Sequence, residues 1–91
     1  MLTAIVMITA ATNAIPETAQ RLADIEGVSE VYSVAGNIDM IAIVRVREFD
    51  DIASVVSGRI NKTEGVIDTD THIAFQAFSQ HDLESTFSIG L

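Results

Sequence analysis

An α+β fold with six elements in the order βαββαβ is what this sequence predicts, on three observations. Segments recur at an offset of 38: Ala4-Ile5-Val6 returns as Ala42-Ile43-Val44, and Arg21, Glu26, Gly27 and Val28 return as Arg59, Glu64, Gly65 and Val66. Each half opens on a β-branched run and continues in an apolar pattern of helical period. The chain has 91 residues, 48% of them hydrophobic and 20% charged, which is room and material for one core.

The elements follow in order. Leu2–Thr9 is the first strand, rich in β-branched residues. Ile15, Ala19, Leu22 and Ala23 then share one face of a helix that has Pro16 in its first turn and stops at Gly27, as a C′ glycine would stop it. Val28–Ala35 is the second strand, and the turn-rich link Gly36-Asn37-Ile38-Asp39 joins it to the third, Met40–Arg47. Asp50 or Asp51 is the expected N-cap of a second helix carrying Ile52, Val55, Val56 and Ile60 on one face, with Gly65 as its stop. Val66–Phe78 is the last strand. Two βαβ units intertwined in this way give a four-stranded antiparallel sheet with both helices on one face, the ferredoxin-like arrangement. Residues 1–78 make this domain, and residues 79–91 are expected to form a C-terminal tail packing on it or on a neighbouring subunit.

The sheet has two apolar faces. In the first strand Leu2, Ala4, Val6 and Ile8 oppose Ile5 and Met7; in the third, Met40, Ala42, Val44 and Val46 oppose Ile41 and Ile43. Helices cover one face only, so the other is expected to close against a second copy, sheet to sheet, as a dimeric α+β barrel.

The composition excludes several classes of function. A net charge of −8, with only five Lys and Arg, opposes binding to nucleic acid and to anionic membranes. Absence of cysteine excludes disulfides and thiolate metal sites. The apolar N-terminal stretch has no basic region before Arg21, so a secretory signal is not expected, and no run reaches the length of a membrane span. A cytoplasmic location follows as the expectation. Phosphate loops, paired nucleophiles and metal-ligand spacings are missing; His72 and His81 stand nine apart with no third ligand at a recognisable interval. No catalytic residue, metal or cofactor is therefore expected. Asp68, Asp70 and His72 share one strand face, which reads as a solvated face before it reads as a cation site.

One constellation suits a free amino acid. In Gly36-x-x-Asp39 the glycine lets backbone N–H groups approach a carboxylate, and the Asp39 carboxylate can pair with an ammonium. The hydroxyls of Thr69 and Thr71 can complete the hydrogen bonding. The same spacing also describes an ordinary hairpin turn.

These residues resemble a known family. Val31-Tyr32-Ser33-Val34-Ala35-Gly36-Asn37-Ile38-Asp39, an apolar strand, then Glu64-Gly65-Val66 with Thr69-x-Thr71 and Ile73, is similar to the effector domain of the leucine-responsive and asparagine regulators (Lrp/AsnC), also called RAM. The resemblance runs from Met1 to about Phe78. It implies dimerisation through the sheets, assembly of dimers into rings, and an amino-acid effector held between dimers near Gly36–Asp39. It implies Gly36 and Asp39 as the core of the site, with Asn37 and Ile38 lining it through the loop and Thr69 and Thr71 contributing from the last strand. Full-length members carry an N-terminal helix-turn-helix domain, whereas this sequence starts at the first effector-domain strand. Ala35 also stands where the family often has Thr.

The expected function is thus an amino-acid-binding and oligomerisation module that modulates transcriptional regulation without contacting DNA itself. Its expected partners are a small effector, further copies of itself and a full-length regulator of the same family. Two alternatives are a purely structural assembly module and a small dimeric α/β-barrel enzyme. The enzyme would need a polar catalytic group facing a cavity between sheet and helices, with His72 as the candidate.

Overall fold

The computed structural model describes residues 1–80; the tail expected at 79–91 lies, from 81 onward, outside the described residues. Four strands and two helices occur in the expected order: β1 Leu2–Ala10, α1 Ile15–Ala23, β2 Val28–Ser33, β3 Met40–Val46, α2 Phe49–Val55 and β4 Val66–Ala74. A single sheet runs β2-β3-β1-β4, with every pairing antiparallel.

The two-residue period of the strands sorts their side chains. Ala4, Val6, Ile8 and Ala10 of β1 and Met40, Ala42, Val44 and Val46 of β3 are buried, together with Leu22 of α1 and Ile52 and Val55 of α2. They form one apolar core between the sheet and the helices. Ile5, Met7, Ile41 and Ile43 lie on the opposite face and are only half-buried, paired as Ile5 with Ile43 and Met7 with Ile41. The uncovered apolar face expected from the sequence is present in the chain.

Several boundaries differ from expectation, each for a local reason. β4 ends at Ala74 rather than Phe78, because Ala74 already faces Thr3, one residue from the start of β1, and the neighbouring strand runs out. β2 ends at Ser33, where the link begins; Val34 N–H donates to the Asp39 carbonyl at 3.0 Å. α2 is capped by Glu48, not Asp50 or Asp51. The Glu48 side chain takes the N3 amide, and the N3 residue Asp51 takes the Glu48 amide, a reciprocal capping box. Beyond Val55 the helix widens into a π-turn, Val56–Ile60, closed by Asn61 N–H on the Val56 carbonyl at 2.8 Å. Ala23, expected on the inner face of α1, is exposed, and Thr18 is buried there instead.

Gly27 and Gly65 do not serve as C′ residues. α1 is capped at Asp24 and the π-turn at Asn61, so both glycines stand a few residues further on, leading into β2 and β4. Both have φ of +98°, and both press on the helix of the other half. A Cβ on Gly65 would overlap the Thr18 side chain, and one on Gly27 would lie 2.7 Å from Val55 Cγ2. The sequence repeat is thus a packing repeat.

Candidate functional site

The Gly36–Asp39 link lies at the end of the sheet where β1 finishes and β4 begins. Asp39 is tied there twice. Its backbone N–H donates to the Ile8 carbonyl at 2.9 Å, and its Oδ2 accepts the Ala10 N–H at 2.8 Å. That second bond lies just past the last β1–β3 pair, Ile8 with Met40, and gives a partner to an amide that β3 no longer reaches. Among the described residues no donor meets Asp39 Oδ1. Gly36 and Asn37 are exposed, Ile38 is half-buried, and a Cβ on Gly36 would meet nothing within 4 Å.

Thr69 faces Ile8 across β1, so Asp39 and Thr69 flank the same stretch of β1. Two strand spacings of about 4.8 Å separate their backbones by roughly 10 Å. Thr69 Oγ1 donates to Asn61 Oδ1 at 2.6 Å, a partner that nothing in the local sequence announced. Thr71 pairs with Val6, one step nearer the middle of the sheet on the helix side. The structure therefore gathers Gly36, Asn37, Ile38, Asp39 and Thr69 at one end and sets Thr71 further in.

Asp68, Asp70 and His72 face the other way, onto the open face, where His72 pairs with Ile5. His72 Nε2 lies 3.1 Å from Asp70 Oδ2, both side chains mostly exposed. His72 therefore does not face the space between sheet and helices, where the enzyme alternative needed it. No group of three metal-ligating side chains occurs among the described residues.

At the opposite edge of the open face Glu30 receives the Tyr32 hydroxyl at 2.5 Å and Arg45 Nη1 at 2.8 Å. The Tyr32 bond, helped by Arg45, holds the Glu30 carboxyl below its ordinary value of 4.5. The same bond raises Tyr32 above its ordinary 10.0, since losing the phenolic proton would set two negative charges together. Apolar residues at the centre of this face are thus bordered by paired charges.

The fold recurs in known proteins. TTHA0845 from Thermus thermophilus superposes with a TM-score of 0.81 and 36% identity, over 88% of this chain and all of that one. The HTH-type transcriptional regulator LrpA of Pyrococcus horikoshii is 34% identical over 50 residues, 55% of this chain and 36% of its own. The transcriptional regulator NMB0573 of Neisseria meningitidis, solved as a complex with L-Met, has a TM-score of 0.76 over 87% of this chain and 53% of its own; its 15% identity shows the fold alone. This chain spans 36–39% of the length of the curated relatives it matches, all named as HTH-type transcriptional regulators. No helix of the described residues is long and apolar enough to cross a membrane. The family model for the Lrp/AsnC ligand binding domain matches residues 3–83, nearly the whole chain, and the chain belongs to that family.

Proposed function

We propose that this chain senses a free amino acid, or a close chemical relative, and transmits the binding through its assembly state. The observation that carries the reading is Asp39. One carboxylate oxygen and the backbone N–H fix it to β1, and among the described residues no donor takes the other oxygen, which in this reading receives the ammonium. The link above it, from Gly36 to Ile38, offers backbone N–H groups to a carboxylate, and Thr69 stands across β1 to complete the set. Family membership supports a small-molecule ligand, and a neighbour of the same fold was solved with L-Met.

In this reading the open sheet face closes against a second copy, dimers join into a ring, and a full-length regulator of the family is the outside partner. The ligand acts by its different affinity for two assembly states. DNA contact is left to the partner, in keeping with the net charge of −8, and the setting is the cytoplasm. No catalysis is assigned. A second reading, assembly alone, draws support from the same residue, because Asp39 already has structural work at Ala10.

Thermal unfolding in the presence of each of the twenty amino acids separates the two. A ligand at ~100 times its dissociation constant adds ~2.7 kcal/mol and a shift of several degrees. The sensor reading expects such a shift with one or a few amino acids, and its loss in Asp39→Asn. A cooperative transition unmoved by all twenty would leave assembly as the function.

A further inference from the structure

A cavity of about 400 Å³ lies at the other end of the molecule, between the end of β3 and α2, with Gly27 and Val55 in its wall. Three of the five cationic side chains in the whole sequence line it: Arg45, Arg47 and Arg59. In a chain of net charge −8, the lining sets three arginines against two acids, Glu26 and Asp51. Two acidic residues share the lining without pairing with these arginines through their carboxylates. Asp51 accepts the Glu48 amide in the capping box, and Glu26 meets Arg59 Nη1 through its backbone carbonyl, at 3.3 Å.

The internal repeat supplies a control. Arg59 corresponds to Arg21, which binds the carbonyl of Glu64 and also has that residue's carboxylate at 3.9 Å. Arg59 binds the Glu26 carbonyl in the same way, but among the described residues it makes no ion pair. Arg45 and Arg47 correspond to Met7 and Thr9, so the extra positive charge exists in the second half only. Crossing between the halves requires one arginine on each side; it does not require three. Arg59 is held by Glu26, Arg45 by Ser29 and Glu30, and exposed Arg47 has no ion-pair partner among the described residues. Glu30 already takes the Arg45 charge, so Arg59, preset by an uncharged carbonyl, and Arg47 are the two guanidinium groups left for a ligand.

We propose that this cavity is a second ligand site, taking a small organic anion through a carboxylate or phosphate group, with Arg47 and Arg59 as its direct contacts. It is separate from the Gly36–Asp39 site, which lies beyond the opposite end of β3, and it stands or falls independently of amino-acid sensing.

The test is amide NMR of the full chain titrated with sodium phosphate and, separately, sodium citrate, against sodium chloride at matched ionic strength to remove general screening. Saturable shifts at Gly27, Val46 and Ser54 are expected with at least one of the two anions and not with chloride. Phosphate alone would point to phosphorylated ligands, and citrate to carboxylates. Arg47→Gln should weaken the response at least about tenfold, as removal of one charge-assisted contact does, while Arg47→Lys retains part of it. Arg47 is exposed, so neither variant should change the melting temperature without anion. Shifts that match those in chloride, or that persist unchanged in Arg47→Gln, would overturn the proposal.

Discussion

Arg59 Nη1 lies 3.3 Å from the carbonyl oxygen of Glu26, and Arg21 Nη1 lies 3.3 Å from that of Glu64. Each pair is the other displaced by the 38-residue repeat, so each arginine ties its own helical segment to the loop of the opposite half. The loops bridged are those in which Gly27 and Gly65 press on the facing helices. Arg21→Gln and Arg59→Gln should each destabilise the fold by about 1 kcal/mol, the value of a solvent-accessible hydrogen bond. The two bonds lie in separate places, so the double variant should show the sum in urea unfolding. A double variant no worse than either single one would refute the paired clamp.

Gly65→Ala should cost at least about 2 kcal/mol. An alanine there is strained at φ +98° and would also overlap Thr18. Gly58 is the control, because a Cβ would meet nothing within 4 Å and its φ is not positive; Gly58→Ala should be neutral or stabilising by up to about 1 kcal/mol. Thr18 itself is fully buried, and its Oγ1 has no hydrogen-bond partner. Thr18→Val removes that unsatisfied hydroxyl at constant shape and should not destabilise the chain. Chemical denaturation of the three variants, read as shifts in midpoint at constant slope, checks them together.

Much of this arrangement was legible in the sequence, because it depends on periodicity. Ala4, Val6 and Ile8 alternate with Ile5 and Met7, and that alone fixes which residues meet the helices and which lie open. What was not legible depends on contacts between distant residues. Thr18 is polar, so its position in the helical stripe with Leu22 gave no hint that it would be buried beneath Gly65. The Asp39–Ala10 bond joins residues 29 apart and forms where the β1–β3 ladder has ended, at Ile8 and Met40. Asn61, which caps the π-turn, meets Thr69 only once β4 is laid beside β1. The cluster of arginines was present in the sequence as three scattered residues, and only the fold gives them a common cavity.

Asp39 separates structural from ligand roles by choice of substitution. Asparagine keeps an oxygen for the Ala10 N–H and removes the charge; alanine removes both. Asp39→Ala should cost about 1–3 kcal/mol, since it strands a part-buried donor, and Asp39→Asn much less. Equal losses in thermal or urea unfolding would mean that the charge, rather than the hydrogen bond, stabilises this end of the sheet.

Ile5 and Ile43 face each other at the centre of the open sheet face, each half-buried in a single chain. If that face closes on a second copy, a carboxylate placed there is forced into an apolar interface without a partner. Ile43→Asp should then shift the protein to monomers in light scattering, with its secondary structure retained in circular dichroism. An unchanged assembly state would place the subunit contacts elsewhere.

Glu30 and Tyr32 give the fold a pH response at the edge of the same face. The Glu30 carboxyl titrates below its ordinary 4.5 in the folded chain, so its contribution is complete above that pH and disappears as pH falls through the lowered value. Tyr32 titrates above its ordinary 10.0, so its contribution is complete below that pH and disappears as pH rises through the raised value. The triad with Arg45 is therefore intact across the neutral range and opens at both extremes. Both shifts have the Tyr32–Glu30 hydrogen bond as their first cause, which makes them reciprocal. Tyr32→Phe should move the Glu30 midpoint upward toward 4.5 in carboxyl NMR, and Glu30→Gln should move the Tyr32 midpoint downward toward 10.0 in ultraviolet titration. If Tyr32→Phe left Glu30 unmoved, Arg45 alone would account for its lowered value, and the hydroxyl would be a bystander on the sheet edge.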